Sequence, residues 1–206
     1  MLGIEIIQQF ILTLASALLL VWLSRVPKYS LFFSSILFLL LLLGVNLIPL
    51  LRGSSLVEIL RGVIGDVSTA SGALLLLIIA KQFDFNEQRR PVLLAWEKWW
   101  LIATGCGLYL STFGFIGFDI YHLGYLSLNM LIAFSGITLI LIMFNRPLGY
   151  VWLLAIISYY FRMQHSNNLW DYFYDPLLWL ALIVCELLQL VCFFRAKKSA
   201  DDLIVL

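Results

Sequence analysis

Between Ile4 and Leu23 the chain carries one charged side chain, Glu5, and six further apolar runs follow, most of them nearly free of charge. They cover Leu31–Leu51, Leu56–Ala80, Val92–Ile116, Tyr125–Phe144, Leu148–Phe161 and Pro176–Phe194. A helix needs about 20 apolar residues to cross the hydrocarbon core of a bilayer. With 63% of its 206 residues apolar and 12% charged, a water-soluble fold could not hide so much apolar surface. The sequence therefore predicts an all-α fold, a polytopic transmembrane helix bundle of about seven spans forming a single integral membrane domain over residues 1–206. Short connections favour an up-and-down arrangement, and the sixth run is the shortest.

Turn chemistry or charge marks the expected breaks: Pro27-Lys28, Arg52-Gly53-Ser54-Ser55, Arg89-Arg90-Pro91, Gly117-Phe118-Asp119 and Asn145-Arg146-Pro147. Seven crossings place Arg25, Lys28, Lys81, Arg89, Arg90, Lys98, Arg146, Arg195, Lys197 and Lys198 on one side. Only Arg52, Arg61 and Arg162 fall on the other. Cytoplasmic loops are the ones enriched in Lys and Arg, so the N-terminus is expected outside and the C-terminus in the cytoplasm. The inner connector Lys81–Lys98 mixes Asp84, Glu87 and Glu97 with its basic residues and reads as solvated, or as a docking surface. Trp96, Trp99 and Trp100 at its end fit an interfacial aromatic belt.

The overall charge, 13 Lys and Arg against 12 Asp and Glu, implies no nucleic-acid partner. Cys106, Cys185 and Cys192 lie in apolar runs without CxxC spacing and read as small hydrophobes. Apolar sequence begins at Ile4 with no basic segment before it, which predicts a retained span instead of a cleaved signal.

Charge inside a span is costly, by about 2.5–3.5 kcal/mol per group on insertion scales. The third run carries most of it. Read as one helix, it puts Glu58 and Arg61 within pairing distance and aligns Arg61, Gly65, Ser68 and Gly72 in a small-residue stripe beside Gly62, Asp66 and Thr69. The fourth run has a matching series, Thr104, Gly107, Ser111 and Gly114, so the two are expected to pack through these faces. Asp66 reads either as a buried acid paired with Arg61 or another outer arginine, or as a functional group. Glu186, with Gln189 nearly one turn on, is too short to snorkel and should face the bundle interior.

The expected outer face gathers Asp119, His122, His165, Asp171 and Asp175 beside Asp66. Asp66, His165, Asp171 and Asp175 are the candidate catalytic residues, for acid–base chemistry on a lipid-linked substrate. Asp119, His122, His165 and Asp171 are the candidate metal ligands, although their spacing matches no established zinc signature. A b-type haem would need both histidines. A purely structural account competes with all of these: Asn167, Asn168, Asp171 and Asp175 can cap helix starts, and Trp170, Tyr172 and Tyr174 suit a segment resting on the bilayer. No cofactor is therefore expected, with zinc and haem b as alternatives.

The function expected is that of a multi-pass protein of a bacterial inner membrane, a non-catalytic accessory or assembly subunit of an envelope or transport complex. Its partners are then the lipid bilayer and other membrane subunits. A membrane-embedded hydrolase or transferase at the outer face is one alternative. An ion- or proton-coupled transporter using Asp66 and Glu186 is the other.

Overall fold

The structure, a computed structural model, describes residues 2–23, 31–51, 53–82, 91–125 and 127–204. Arg25, Lys28, Arg52, Asp84, Glu87, Arg89 and Arg90 lie outside these residues, as does the break expected at Pro27-Lys28, and the side chains of Lys197 and Lys198 are not described. The chain is mostly helical, as expected: α1 (Leu2–Leu23), α2 (Leu31–Leu47), α3 (Leu56–Ile64), α4 (Thr69–Gln82), α5 (Ala95–Thr112), α6 (Ser127–Phe144), α7 (Arg146–Tyr160), α8 (Trp170–Phe173) and α9 (Pro176–Ile204). A short hairpin of β1 (Pro49–Leu51) and β2 (Ser54–Ser55) turns through Gly53 at φ 86°, and a 3-10 turn covers Tyr121–Tyr125.

Among the described residues one helix, over Pro176–Arg195, is long and apolar enough to cross a membrane. The apolar parts of α1, α2, α4 and α6 are shorter. Large apolar side chains nevertheless stand exposed on all the longer helices, among them Phe10, Leu39, Leu76, Leu110, Leu139, Leu154 and Leu187.

The third run is not one helix. Gly65 ends α3 at φ 83°, a conformation that strains residues bearing a Cβ, and α4 starts only at Thr69. The expected stripes through Gly65 and Asp66 are therefore cut in two. Glu58 does not pair with Arg61 either. It closes a capping box with Ser55, whose N–H donates to Glu58 Oε2 at 2.9 Å, and α3 begins there.

Packing also departs from the expected seam between the third and fourth runs. Helix α4 lies chiefly on α7, and also touches α1 and α8; α5 lies on α9. The small residues of the fourth run serve α5 and the segment that follows it, where Ile120 N donates to Ser111 Oγ at 3.3 Å. Thr104 bonds back to Trp100 O at 2.8 Å, Ser111 to Leu108 O at 2.8 Å, and Gly114 takes φ 78° in the turn that ends the helix. The tight contact is elsewhere: a Cβ on Gly105 would fall inside the indole of Trp179 on α9, whose Nε1 donates to Ile102 O at 3.1 Å.

One hydrophobic cluster draws on α4 to α9, and a smaller one joins Leu12, Val45, Val57 and Val67 across the first third of the chain. Aromatic rings fill the larger cluster. Phe134 of α6 stacks on Trp152 of α7 at 5.4 Å and meets Phe173 of α8 at 4.5 Å, while Trp170 packs edge-on at 5.0 Å. Segment 168–175 is thus buried among the helices and does not rest on a surface as expected, because ring area of this size gains more from burial on both faces than from one. Trp96 and Trp99 are exposed, but Trp100 stacks against Trp152 at 5.2 Å. The end of the connector Lys81–Lys98 turns inward too. Glu97 is fully buried, caps Leu94 N at 2.7 Å and accepts from Asn145 Nδ2 at 2.6 Å. Lys98 pairs with the buried Glu186, which faces the interior as expected.

Replacing Gly105 with alanine is expected to destabilise the protein by about 1–3 kcal/mol, since the Trp179 ring must move. Gly136→Ala, where a Cβ meets open space on α6, should be neutral or stabilising. Thermal unfolding of the two variants in parallel checks this pair.

Candidate functional site

Helices α4 and α9 begin, and α5 and α7 end, at one end of the bundle, and segments 113–125 and 161–175 cover it. A cavity of about 370 Å³ opens there. All four candidate catalytic residues, Asp66, His165, Asp171 and Asp175, line it, together with Tyr121 and Gln164.

Asp175 is the most deeply placed. Pro176 has no N–H to donate and is preset for the first helical position, which makes Asp175 the cap of α9. Its Oδ1 accepts from Leu178 N at 2.7 Å, and its Oδ2 accepts from Ser68 N at 2.6 Å. Ser68 is itself the cap of α4, its Oγ accepting from Ser71 N at 3.1 Å. One buried carboxylate thus meets the positive ends of two helices. Gln164 completes the α4 start. Oriented with its oxygen toward donors, it accepts from Thr69 N at 2.8 Å and donates to Asp171 O at 3.1 Å. Behind the break in the third run, Gln8 of α1 pairs with both backbone groups of Val67, donating to its O at 3.0 Å and accepting from its N at 2.8 Å.

Asp171 does not cap a helix, contrary to the expectation. Its two oxygens accept from the Tyr121 hydroxyl at 3.0 and 2.9 Å. Burial and the Asp171 charge both hold the Tyr121 phenol well above its ordinary range. Asp66 sits exposed at the rim, with Arg61 Nη2 at 3.2 Å, the pairing anticipated for it. Asn168 does not occupy the cap position of α8, which is Leu169; it accepts from Trp170 N at 3.0 Å in a turn just before the helix, and Asn167 accepts from Arg162. Tyr174 is buried with no hydrogen-bond partner for its hydroxyl among the described residues; burial raises its pKa, and the facing Thr104 hydroxyl offsets this only partly.

The candidate metal ligands are divided: His165 and Asp171 line the cavity, and Asp119 and His122 do not. Asp119 is occupied in capping His122 N at 3.1 Å, and His122 lies against Tyr125 outside the cavity lining. Among the described residues no three His, Cys, Asp or Glu side chains converge to hold a metal ion. His165 is exposed and shares no hydrogen bond with the carboxylates there, so the histidine–aspartate pair is adjacent but unassembled.

Several residues that build the site carry no motif. Gln8, Gln164, Tyr121 and Asn168 act through contacts 47 or more positions away, as between Asn168 Nδ2 and Tyr121 O at 3.0 Å. Gly124 had a signal only in retrospect: a Cβ there would collide with Asn168 and Trp170. No family model matches the chain, and neither curated proteins nor solved structures show detectable similarity to it.

Asp175→Ala removes acceptors from two helix starts and should cost about 2 kcal/mol or more of stability, whereas Tyr174→Phe, which deletes an unsatisfied buried hydroxyl, should be neutral or stabilising. Denaturant titration of both variants tests the contrast. A phenol with a raised folded pKa contributes stability that is present below its ordinary pKa of about 10 and lost as pH rises through the folded value. Tyr121→Phe is therefore expected to remove part of the alkaline loss of stability, read from unfolding midpoints across that pH range.

Proposed function

We propose that this protein is a multi-pass membrane protein acting as a non-catalytic accessory or assembly subunit, with lipid and other membrane subunits as its partners. The observation that carries the non-catalytic part is the employment of its acids. Asp66 is held by Arg61, Asp171 by Tyr121, Glu186 by Lys98, and Asp175 by two helix starts. Each ties one part of the chain to another, which is work for a scaffold.

The membrane part draws on the apolar surface exposed along the long helices and on the basic residues that the sequence places on one side. Seven crossings follow if α3 and α4 share the third. Non-helical backbone at membrane depth must be satisfied within the protein. At Val67 and Ser68 this is met by Gln8 and Asp175. In this arrangement the N-terminus is outside, the C-terminus is cytoplasmic, and the Asp175 cavity faces outward, in a bacterial inner membrane.

Broken helices in transporters aim their N-termini at anionic substrates. Here the protein's own Asp175 takes that place at α4, which favours the scaffold over the transporter. An outer-face enzyme is the second reading, and the cavity that collects His165, Asp171 and Asp66 is what favours it.

His165→Ala and Asp175→Ala separate these readings. In membranes washed with alkaline carbonate, His165→Ala is expected at normal abundance and to complement a deletion strain. Asp175→Ala should lose abundance and complementation together. Loss of complementation by His165→Ala at normal abundance would overturn the scaffold reading in favour of the enzyme.

A further inference from the structure

A second cavity, of about 250 Å³, lies between the start of α6 and the end of α7 and shares Ser166 with the first. Its chemistry differs from that of the Asp175 cavity. The lining has no carboxylate; it has Arg162, Asn167, Ser166 and three tyrosines over a floor of Leu128 and Leu131. Arg162 has no acidic partner among the described residues. Its Nη1 donates to Asn167 Oδ1 at 3.0 Å, which orients the guanidinium and leaves most of its five donors for a ligand.

The backbone at Arg162 is unusual as well. It has φ 50°, the one positive φ among the described non-glycine residues. An L-residue is strained there, and glycine would be the inexpensive choice. The conformation is the left-handed turn that ends α7: Arg162 N donates to Tyr159 O at 3.0 Å and Met163 N to Ser158 O at 2.9 Å, and this turn places Arg162 at the cavity wall. Asp171, which could neutralise the site, is engaged by Tyr121 on the neighbouring cavity.

We propose that this cavity binds an anionic phosphate group, with Arg162 supplying forked, charge-assisted hydrogen bonds. The phosphate belongs either to a phospholipid headgroup or to a small soluble phosphoester. The cavity has room for a headgroup but not for two acyl chains. Below it, the exposed apolar side chains of Leu128, Ile132 and Leu139 on α6 provide a surface along which chains would lie. The lipid source rests on the membrane reading above; the phosphate chemistry does not.

The full-length protein in detergent would be titrated with dioleoyl phosphatidylglycerol by native mass spectrometry, and separately with inorganic phosphate and glycerol phosphate by calorimetry. Binding of the lipid alone assigns the site to a headgroup, and binding of the small anions assigns it to soluble phosphoesters; either supports the proposal if it depends on Arg162. Arg162→Gln is expected to weaken binding about tenfold or more. Arg162→Gly removes the charge and relieves the backbone, so it should bind as weakly while keeping or raising the thermal midpoint. Equal binding by wild type and by these folded variants, or no binding in either arm, overturns the proposal. A chain found wholly in the soluble fraction would end the membrane reading and leave the small-anion titration to decide the site.

Discussion

The carboxylate of Asp175 sits where two helix starts meet, and most of the architecture at that end of the bundle depends on it. Helices α4 and α9 each present free N–H groups and a positive dipole end at the same point. Without an anion between them the two ends would repel and their donors would go unsatisfied inside the protein. With Asp175 in place, the buried acid and both helix starts satisfy one another. The break in the third apolar run follows from the same geometry, because Ser68 can reach Asp175 only if the chain stops being helical before it.

Around this junction the polar groups are partnered one with another, the Tyr174 hydroxyl excepted. Gln8 satisfies Val67, Gln164 joins the α4 start to Asp171, and Asp171 meets Tyr121. Asn168 then ties the 3-10 turn to the segment before α8. The aromatic cluster of Phe134, Trp152, Trp170 and Phe173 seals the network from below. Buried polar groups stabilise a structure where they are partnered, and here the partners come from α1, α4, α8, α9 and the loops between them. At the same end, the two cavities share Ser166 and Tyr172's neighbourhood yet differ in charge: carboxylates line one, and an arginine the other.

Much of this was legible from residue order. The apolar runs match the long helices to within a few residues at most ends, and the turn signals at Gly53, Gly117 and Asn145 fall between elements. One cavity collects Asp66, His165, Asp171 and Asp175, because loops at one end of a bundle converge, while Asp119 and His122 of the same expected cluster lie outside its lining. The stripes on the third run were misread because periodicity cannot register a helix that stops for four residues and restarts. Trp170 and Tyr172 were placed at a surface because amphipathic aromatics suit an interface and a buried junction equally well. Glu97 reads as solvated in the sequence because its partner, Asn145, is 48 positions away.

The sequence by itself determined that the chain is helical, where its apolar runs begin and end, and which polar residues share an end of the bundle. Those are local properties, set by hydropathy, by turn residues and by the alternation of ends that short loops impose. Only the tertiary structure decided which acid meets which donor, that α3 and α4 are separate helices, and that segment 168–175 is buried. These are long-range choices: the cost of an unsatisfied buried group is removed by a partner far away in the chain, and no spacing rule records that partner's position.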